Sequence, residues 1–194
     1  MEPQIIFAQE IYIDMLEYID SNYLKSICLQ IKTESSGVSI SNVLGWQSES
    51  MTEKSAYYQD FSMLIESVKS NIDEIIDNRY KIKKNIRLSN FWININGKYA
   101  YNTEHSHPRC LFSAVFYVEH EPNMGNLILV RGDNEIDMFN SDYGIIGTNA
   151  VTANEFIFRP GKNKLVIFPS WYRHRVESNL NDKERISIAM NFSI

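Results

Sequence analysis

From residue 85 onward the apolar residues of this chain recur at every second position, in short runs broken by turn residues. That period constrains the fold more than any other feature, because alternation at two is the signature of strands with one buried face. Ile86, Leu88 and Phe91 to Ile95 read as a strand, and Asn96-Gly97 is a hairpin signal from which Tyr99 to His107 would return. Cys110 to Val118 is apolar throughout, as expected of a strand buried on both faces. Leu127 to Val130, Glu155 to Phe158, Leu165 to Phe168, His174 to Val176 and Arg185 to Phe192 supply further short strands. Pro122-Asn123, Gly132-Asp133, Gly147 and Pro160-Gly161 punctuate them.

The first third reads differently. Residues 5 to 14, with Ile5, Ile6, Phe7, Ile11 and Ile13, fit a strand or a helix start. Met15 to Lys32 carries Leu16, Ile19, Tyr23, Leu24 and Ile27 at helical spacing. Residues 34 to 56, rich in Ser, Gly, Asn and Gln, read as a loop. Gln59 to Tyr80 is the clearest helix, with Phe61, Leu64, Ile65, Val68, Ile72, Ile75 and Ile76 on one stripe that should pack on a sheet. The pattern as a whole predicts a mostly β protein with N-terminal helices, a barrel or jelly roll buttressed by helices. At 194 residues one domain is expected, with 1–84 as mainly helical support and 85–194 as the barrel core.

Three of the four histidines fall in two windows, His105-Ser106-His107-Pro108 and Phe168 to His174. Two residues apart on a strand means one face, so His105 and His107 can grip one ion. His174 shares its strand face with Val176, while Arg173 and Arg175 point the other way. A close imidazole pair, a distant third and an arginine beyond them is the layout of a mononuclear iron site on a barrel. Ligands on one side leave the opposite positions open. On the last strand Ile186, Ile188, Met190 and Phe192 take one face, and Arg185, Ser187, Ala189 and Asn191 the other. An arginine inside a barrel is costly unless it meets an anion, so Arg185 and Ser187 read as donors for a carboxylate. The plainer alternatives are a polar strand face for His105 and His107, and pairing of Arg185 with Glu184 or Asp182. His120, among Glu119, Glu121 and Pro122, reads as a solvated loop residue. Trp92 and Trp171 read as packing.

Net charge is −5, with no block of like charge, so no nucleic-acid surface is indicated; Lys81, Lys83 and Lys84 read as a solvated face. Two cysteines make no disulfide framework and no zinc-type spacing, and Cys110 reads as a buried core thiol. No signal peptide and no membrane-length apolar run is expected, so a cytoplasmic location is the default. Arg131-Gly132-Asp133 matches an adhesion tripeptide by chance.

The ordered set of motifs resembles the Fe(II)/2-oxoglutarate-dependent oxygenase superfamily, and most closely a branch of these oxygenases known from phages and bacteria. The pieces that carry the resemblance are Gly45-Trp46-Gln47-Ser48, Trp92 with Asn94, Asn102 through Pro108, Phe112 through Val118, Phe168-Pro169-Ser170-Trp171, and Glu184-Arg185-Ile186-Ser187 through Asn191-Phe192. They span roughly residues 40 to 194. The resemblance implies a double-stranded β-helix (cupin-like) fold, Fe(II) on His105, His107 and His174, and 2-oxoglutarate as co-substrate, with Arg185, Ser187, Tyr117 and Asn102 around it. Tyr117 is equally open to reading as a core tyrosine. Position 107 departs from the family, whose usual second ligand is a carboxylate; Asp133 or Glu104 would be the outside candidates. The activity implied is dioxygenation, as a hydroxylase of a small molecule, peptide or nucleotide. The alternatives are a three-histidine oxygenase that uses no 2-oxoglutarate, and a non-catalytic cupin-like metal-binding module. Residues 34–56 and 132–154 are the candidate lids, and a homo-oligomer is possible on this reading.

Overall fold

The computed structural model describes residues 2, 4, 8–83, 85–132, 149 and 152–194. Within them the chain runs β1 (Tyr12–Met15), α1 (Ser21–Glu34), β2 (Asn42–Val43), β3 (Trp46–Gln47), α2 (Tyr58–Ile75), a π-helical turn (Ile76–Tyr80), β4 (Arg87–Asn96), β5 (Tyr101–His105), β6 (Phe112–Glu119), β7 (Leu127–Val130), β8 (Glu155–Phe158), β9 (Lys164–Pro169), β10 (Arg173–Val176) and β11 (Arg185–Ser193). Two antiparallel sheets result, in the orders β1-β9-β6-β11-β4-β3 and β2-β5-β10-β7-β8. The protein is thus mostly β with two helices. A strand precedes the helices, so they do not open the chain.

The expected start of α1 at Met15 moves to Ser21, because Asp20 caps there. Its Oδ1 accepts the amides of Asn22 and Tyr23, each at 3.0 Å. Residues 12–15 pair with β9 instead. On α2 the stripe Phe61, Leu64, Ile65, Val68, Ile72 and Ile75 is buried as the period requires. It packs on Phe91, Ile93, Phe116, Ile188 and Met190 of the six-stranded sheet. The Phe61 and Phe91 rings meet at 5.3 Å. The α-helical ladder slips into the π turn at Ile76 and stops at Lys81, which takes a left-handed conformation at φ 53°.

β11 sits in the middle of its sheet, between β4 and β6. Its two faces divide as the sequence predicts: Ile186, Ile188, Met190 and Phe192 join the core under the helices, while Arg185, Ser187, Ala189 and Asn191 face the second sheet. A smaller core of Tyr117, Leu127, Leu129, Phe158, Val166 and Phe168 lies between the sheets. At roughly 25 cal/mol per Å² of apolar surface, these two layers supply most of the drive to fold.

Four sequence expectations are corrected. The hairpin at Asn96-Gly97 does not form, since β4 and β5 lie in different sheets. Both edges of β4 are taken by β11 and β3, and the chain after Gly97 bonds elsewhere: Tyr99 N–H donates to Asn179 O at 2.6 Å. The segment 34–56 is not all loop. Val38 N–H donates to Gln47 O at 2.8 Å, and β2 and β3 attach to opposite sheets. Cys110 is only half-buried, whereas Cys28 is buried. His120 is not a solvated loop residue; it is half-buried beside Tyr117, ring centroids 5.6 Å apart. Of the second candidate lid, residues 133–148, 150 and 151 lie outside the described residues, as do Ile5, Ile6 and Phe7. Among the described residues no helix is long and apolar enough to cross a membrane.

Candidate functional site

The three histidines converge from two adjacent strands and the loop after one of them. His105 ends β5 and stands directly opposite His174 on β10, with ring centroids 4.4 Å apart. His107 lies beyond the strand, so the expected shared strand face is not what brings it in. Its backbone N–H donates to Ser170 O at 2.9 Å, which turns the ring back to 5.0 Å from both other imidazoles. One ring nitrogen from each of the three lies within 4.8 Å of the others. A bulge completes the arrangement: His174 pairs with His105 but Val176 pairs with Asn102, so three residues of β10 span four of β5. Asn102 and His105, three apart, therefore line the same cavity.

Protonation follows from the partners. His105 Nδ1 faces Thr103 O at 2.7 Å and His174 Nδ1 faces Tyr172 O at 2.9 Å. A carbonyl can only accept, so each Nδ1 carries the proton and Nε2 is the nitrogen left to face a ligand. Burial, and then the neighbouring His105 imidazole, hold His107 at about 4 and His174 at about 3. Both of these rings are neutral at ordinary pH. Three imidazoles on a concave face fit a divalent transition metal, with coordination positions left over. Glu104 is turned away into an ion pair with Arg173, and Asp133 is outside the described residues.

Arg185 lies at the other end of the same cavity and is 2% exposed. Its Nη1 donates to the carbonyls of Met124 and Glu177, the latter at 3.2 Å. No carboxylate among the described residues meets it. Asp182 pairs with Lys98 at 2.6 Å and Glu184 with Lys32 at 2.7 Å. Burial lowers the guanidinium to about 10, so it stays a cation, and a buried cation without a counter-charge is a binding site for an anion. Ser187 and Tyr117 are opposite each other in register and both line this end. Burial pushes the Tyr117 phenol up, so its hydroxyl remains a donor. Asn102 Nδ2 reaches Ser41 Oγ at 3.3 Å.

Sequence reasoning passed over several lining residues. Trp92 is not plain packing: its ring lies 5.4 Å from that of His107 and it lines the cavity with Asn94, Ser113 and Asn191. The available signal was the alternation Trp92, Asn94, Asn96, which sits opposite Ala189, Ser187 and Arg185 in register. Buried amide atoms of Gln47, Asn94 and Asn96 lack partners among the described residues, and of the three Asn94 lines the cavity. Trp171 is 55% exposed and stacks edge-on to Tyr172, away from the core.

Comparison with known proteins agrees with this geometry. Residues 90–191, more than half of the chain, match the family described as "Putative 2OG-Fe(II) oxygenase". No curated protein sequence matches. The fold is similar to a prolyl-4-hydroxylase from Pseudomonas putida, with 15% identity, TM-score 0.65, and 95% of this chain and 92% of that one covered. It is also similar to a Trichoplax adhaerens prolyl hydroxylase in complex with a hypoxia inducible factor oxygen degradation domain peptide fragment (13% identity, TM-score 0.64, coverage 94% and 83%). A third likeness is HygX from Streptomyces hygroscopicus with nickel and 2-oxoglutarate bound (10% identity, TM-score 0.63, coverage 95% and 83%).

Proposed function

The chain belongs to the 2OG-Fe(II) oxygenase family, and from that premise we propose that it is a hydroxylase whose Fe(II) is held by His105, His107 and His174. As a family member it is a 2-oxoglutarate-dependent dioxygenase, an oxidoreductase with Fe(II) and 2-oxoglutarate as its cofactors. We read the two sheets as the walls of a double-stranded β-helix, a jelly roll of the cupin-like kind, and residues 1–194 as one domain.

The observation that carries the reading is the pairing, in one cavity, of three clustered imidazoles with a buried arginine that meets no acid among the described residues. Held there, Fe(II) and 2-oxoglutarate would supply the oxidising power for hydroxylation. The chain's own residues bind, orient and shelter. His105 and His174 present Nε2 because Thr103 O and Tyr172 O hold their Nδ1 protons. Arg185 grips the far carboxylate of 2-oxoglutarate through two N–H donors, with Ser187 and Tyr117 adding hydroxyls and Asn102 lining the approach. Phe168, Leu127 and Val176 keep water from the space between. Trp92, beside His107, offers an aromatic wall for a substrate, which is a small molecule, a peptide or a nucleotide.

One observation favours a second reading. A histidine at position 107 leaves the iron without a carboxylate ligand, as in three-histidine oxygenases that use no 2-oxoglutarate. Oxygen uptake and succinate formation, measured with and without 2-oxoglutarate, separate the two. The main reading expects both to require 2-oxoglutarate. Arg185→Leu should weaken 2-oxoglutarate binding by on the order of 2–5 kcal/mol, the usual loss for breaking a buried charge pair, with metal content unchanged. Oxygen uptake that ignores 2-oxoglutarate would establish the second reading.

A further inference from the structure

A carboxylate that reaches Arg185 stops where Arg185 stops, so the wall behind it decides how deep a co-substrate can go. That wall is the turn from Glu121 to Asn126. Met124 is fully buried and its carbonyl, with that of Glu177, takes both protons of Arg185 Nη1. One end of the guanidinium is thereby committed to the wall, and the Nε–Nη2 edge is left for a ligand.

Gly125 makes this close approach possible. Its φ is +85°, and a Cβ there would lie 2.3 Å from Glu177 O and 2.7 Å from Arg185 Nη1. The wall is thin, because its far side borders a surface cleft lined by His120, Gly125, Asn126 and Glu177. Hydrogen bonds tie it to the 177–183 segment, among them Leu180 N–H to Asn123 O at 2.7 Å and Asn181 Nδ2 to Pro122 O at 3.1 Å. Glu177 N–H donates to Asn126 O at 2.9 Å, and Asn126 Nδ2 donates to Glu177 Oε2 at 2.7 Å. His120 Nε2 faces Gly125 O at 3.1 Å; the carbonyl accepts, so His120 donates.

We propose that this turn, through Gly125 and His120, is the positioning device that fixes the depth of Arg185, and that it thereby selects 2-oxoglutarate against the shorter oxaloacetate and the longer 2-oxoadipate. The inference rests on the reading of Arg185 as the anchor of the far carboxylate.

The test is calorimetric binding of the three acids to the full chain loaded with Mn(II), without oxygen. Wild type should favour 2-oxoglutarate over either homologue by roughly tenfold or more, the usual effect of one methylene. Gly125→Ala pushes Arg185 toward the metal. It should weaken 2-oxoglutarate by about tenfold, affect oxaloacetate less, and leave Mn(II) affinity unchanged. His120→Ala should weaken 2-oxoglutarate several-fold, and His120→Asn, whose amide can still donate to Gly125 O, should restore it. If Gly125→Ala does not fold, the His120 pair carries the test. Equal affinity of wild type for all three acids overturns the proposal. So does an unchanged ratio among the acids in both Gly125→Ala and His120→Ala, or loss of acids and Mn(II) together. Arg185→Leu separates the failures. If that variant binds 2-oxoglutarate like wild type, the reading of Arg185 itself falls. If it loses 2-oxoglutarate while the turn variants keep the wild-type ratio, only the role of the turn falls.

Discussion

His107 is the residue on which the chemistry of this site turns. Its backbone is held through Ser170 O, and its ring lies beside that of Trp92. On the proposed reading, a neutral third ligand would leave the metal more positive than a carboxylate would and strengthen its hold on anionic 2-oxoglutarate. His107→Asp is therefore expected to bind Fe(II) and to keep some 2-oxoglutarate turnover, because a carboxylate from this loop position can still reach the ion. Its affinity for 2-oxoglutarate should fall relative to wild type, since the added negative charge opposes the co-substrate. Anaerobic titration of both proteins with 2-oxoglutarate checks this. Tighter 2-oxoglutarate binding by the Asp variant would contradict the electrostatic argument.

At the scale of elements, α2 packs on the six-stranded sheet that carries β11 at its middle. Val68 is 0% exposed at the middle of its stripe. Val68→Asp buries an unpaired carboxylate and should destabilise the fold by on the order of 3–5 kcal/mol. An unchanged melting temperature would mean that the stripe is not packed on the sheet. Cys28 on α1 gives a pH test of the same packing. Burial pushes its thiol from 9.0 up to about 12, and Cys110 is raised as well, though only half-buried. Between those two values the native state keeps a proton on Cys28 that the unfolded chain has lost. This contribution to stability is therefore intact below pH 9 and is lost as pH rises through the window. Alkylation at pH 8 should label Cys110 first and Cys28 only on unfolding; prompt labelling of both would place α1 off the sheet.

At the scale of the whole molecule, much was legible in the chain. The two-residue period located β4 and β6 to β11 closely, because each has one apolar face or two, and the alternation on β11 assigned Arg185 and Ser187 to the interior. What was not legible depends on partners distant in sequence. The bulge that aims both Asn102 and His105 inward exists only in the register with β10. Asn96-Gly97 carries the chemistry of a hairpin, yet β4 has no free edge to receive β5. β2 and β3 are two residues each, too short for any period to show. The cradle of Arg185 uses backbone carbonyls of Met124 and Glu177, which leave no trace in side-chain identity.

The proposed iron site takes its three histidines from β5, its following loop and β10. Equilibrium Fe(II) binding without oxygen, by wild type and by His105→Ala, His107→Ala and His174→Ala, tests it most directly. Wild type should take up one ion per chain. Each variant should stay folded and lose more affinity than the roughly 10–100-fold that removal of an outer-shell partner costs. Wild-type affinity in His107→Ala would contradict the claim and send the search for a third ligand to a carboxylate elsewhere in the chain.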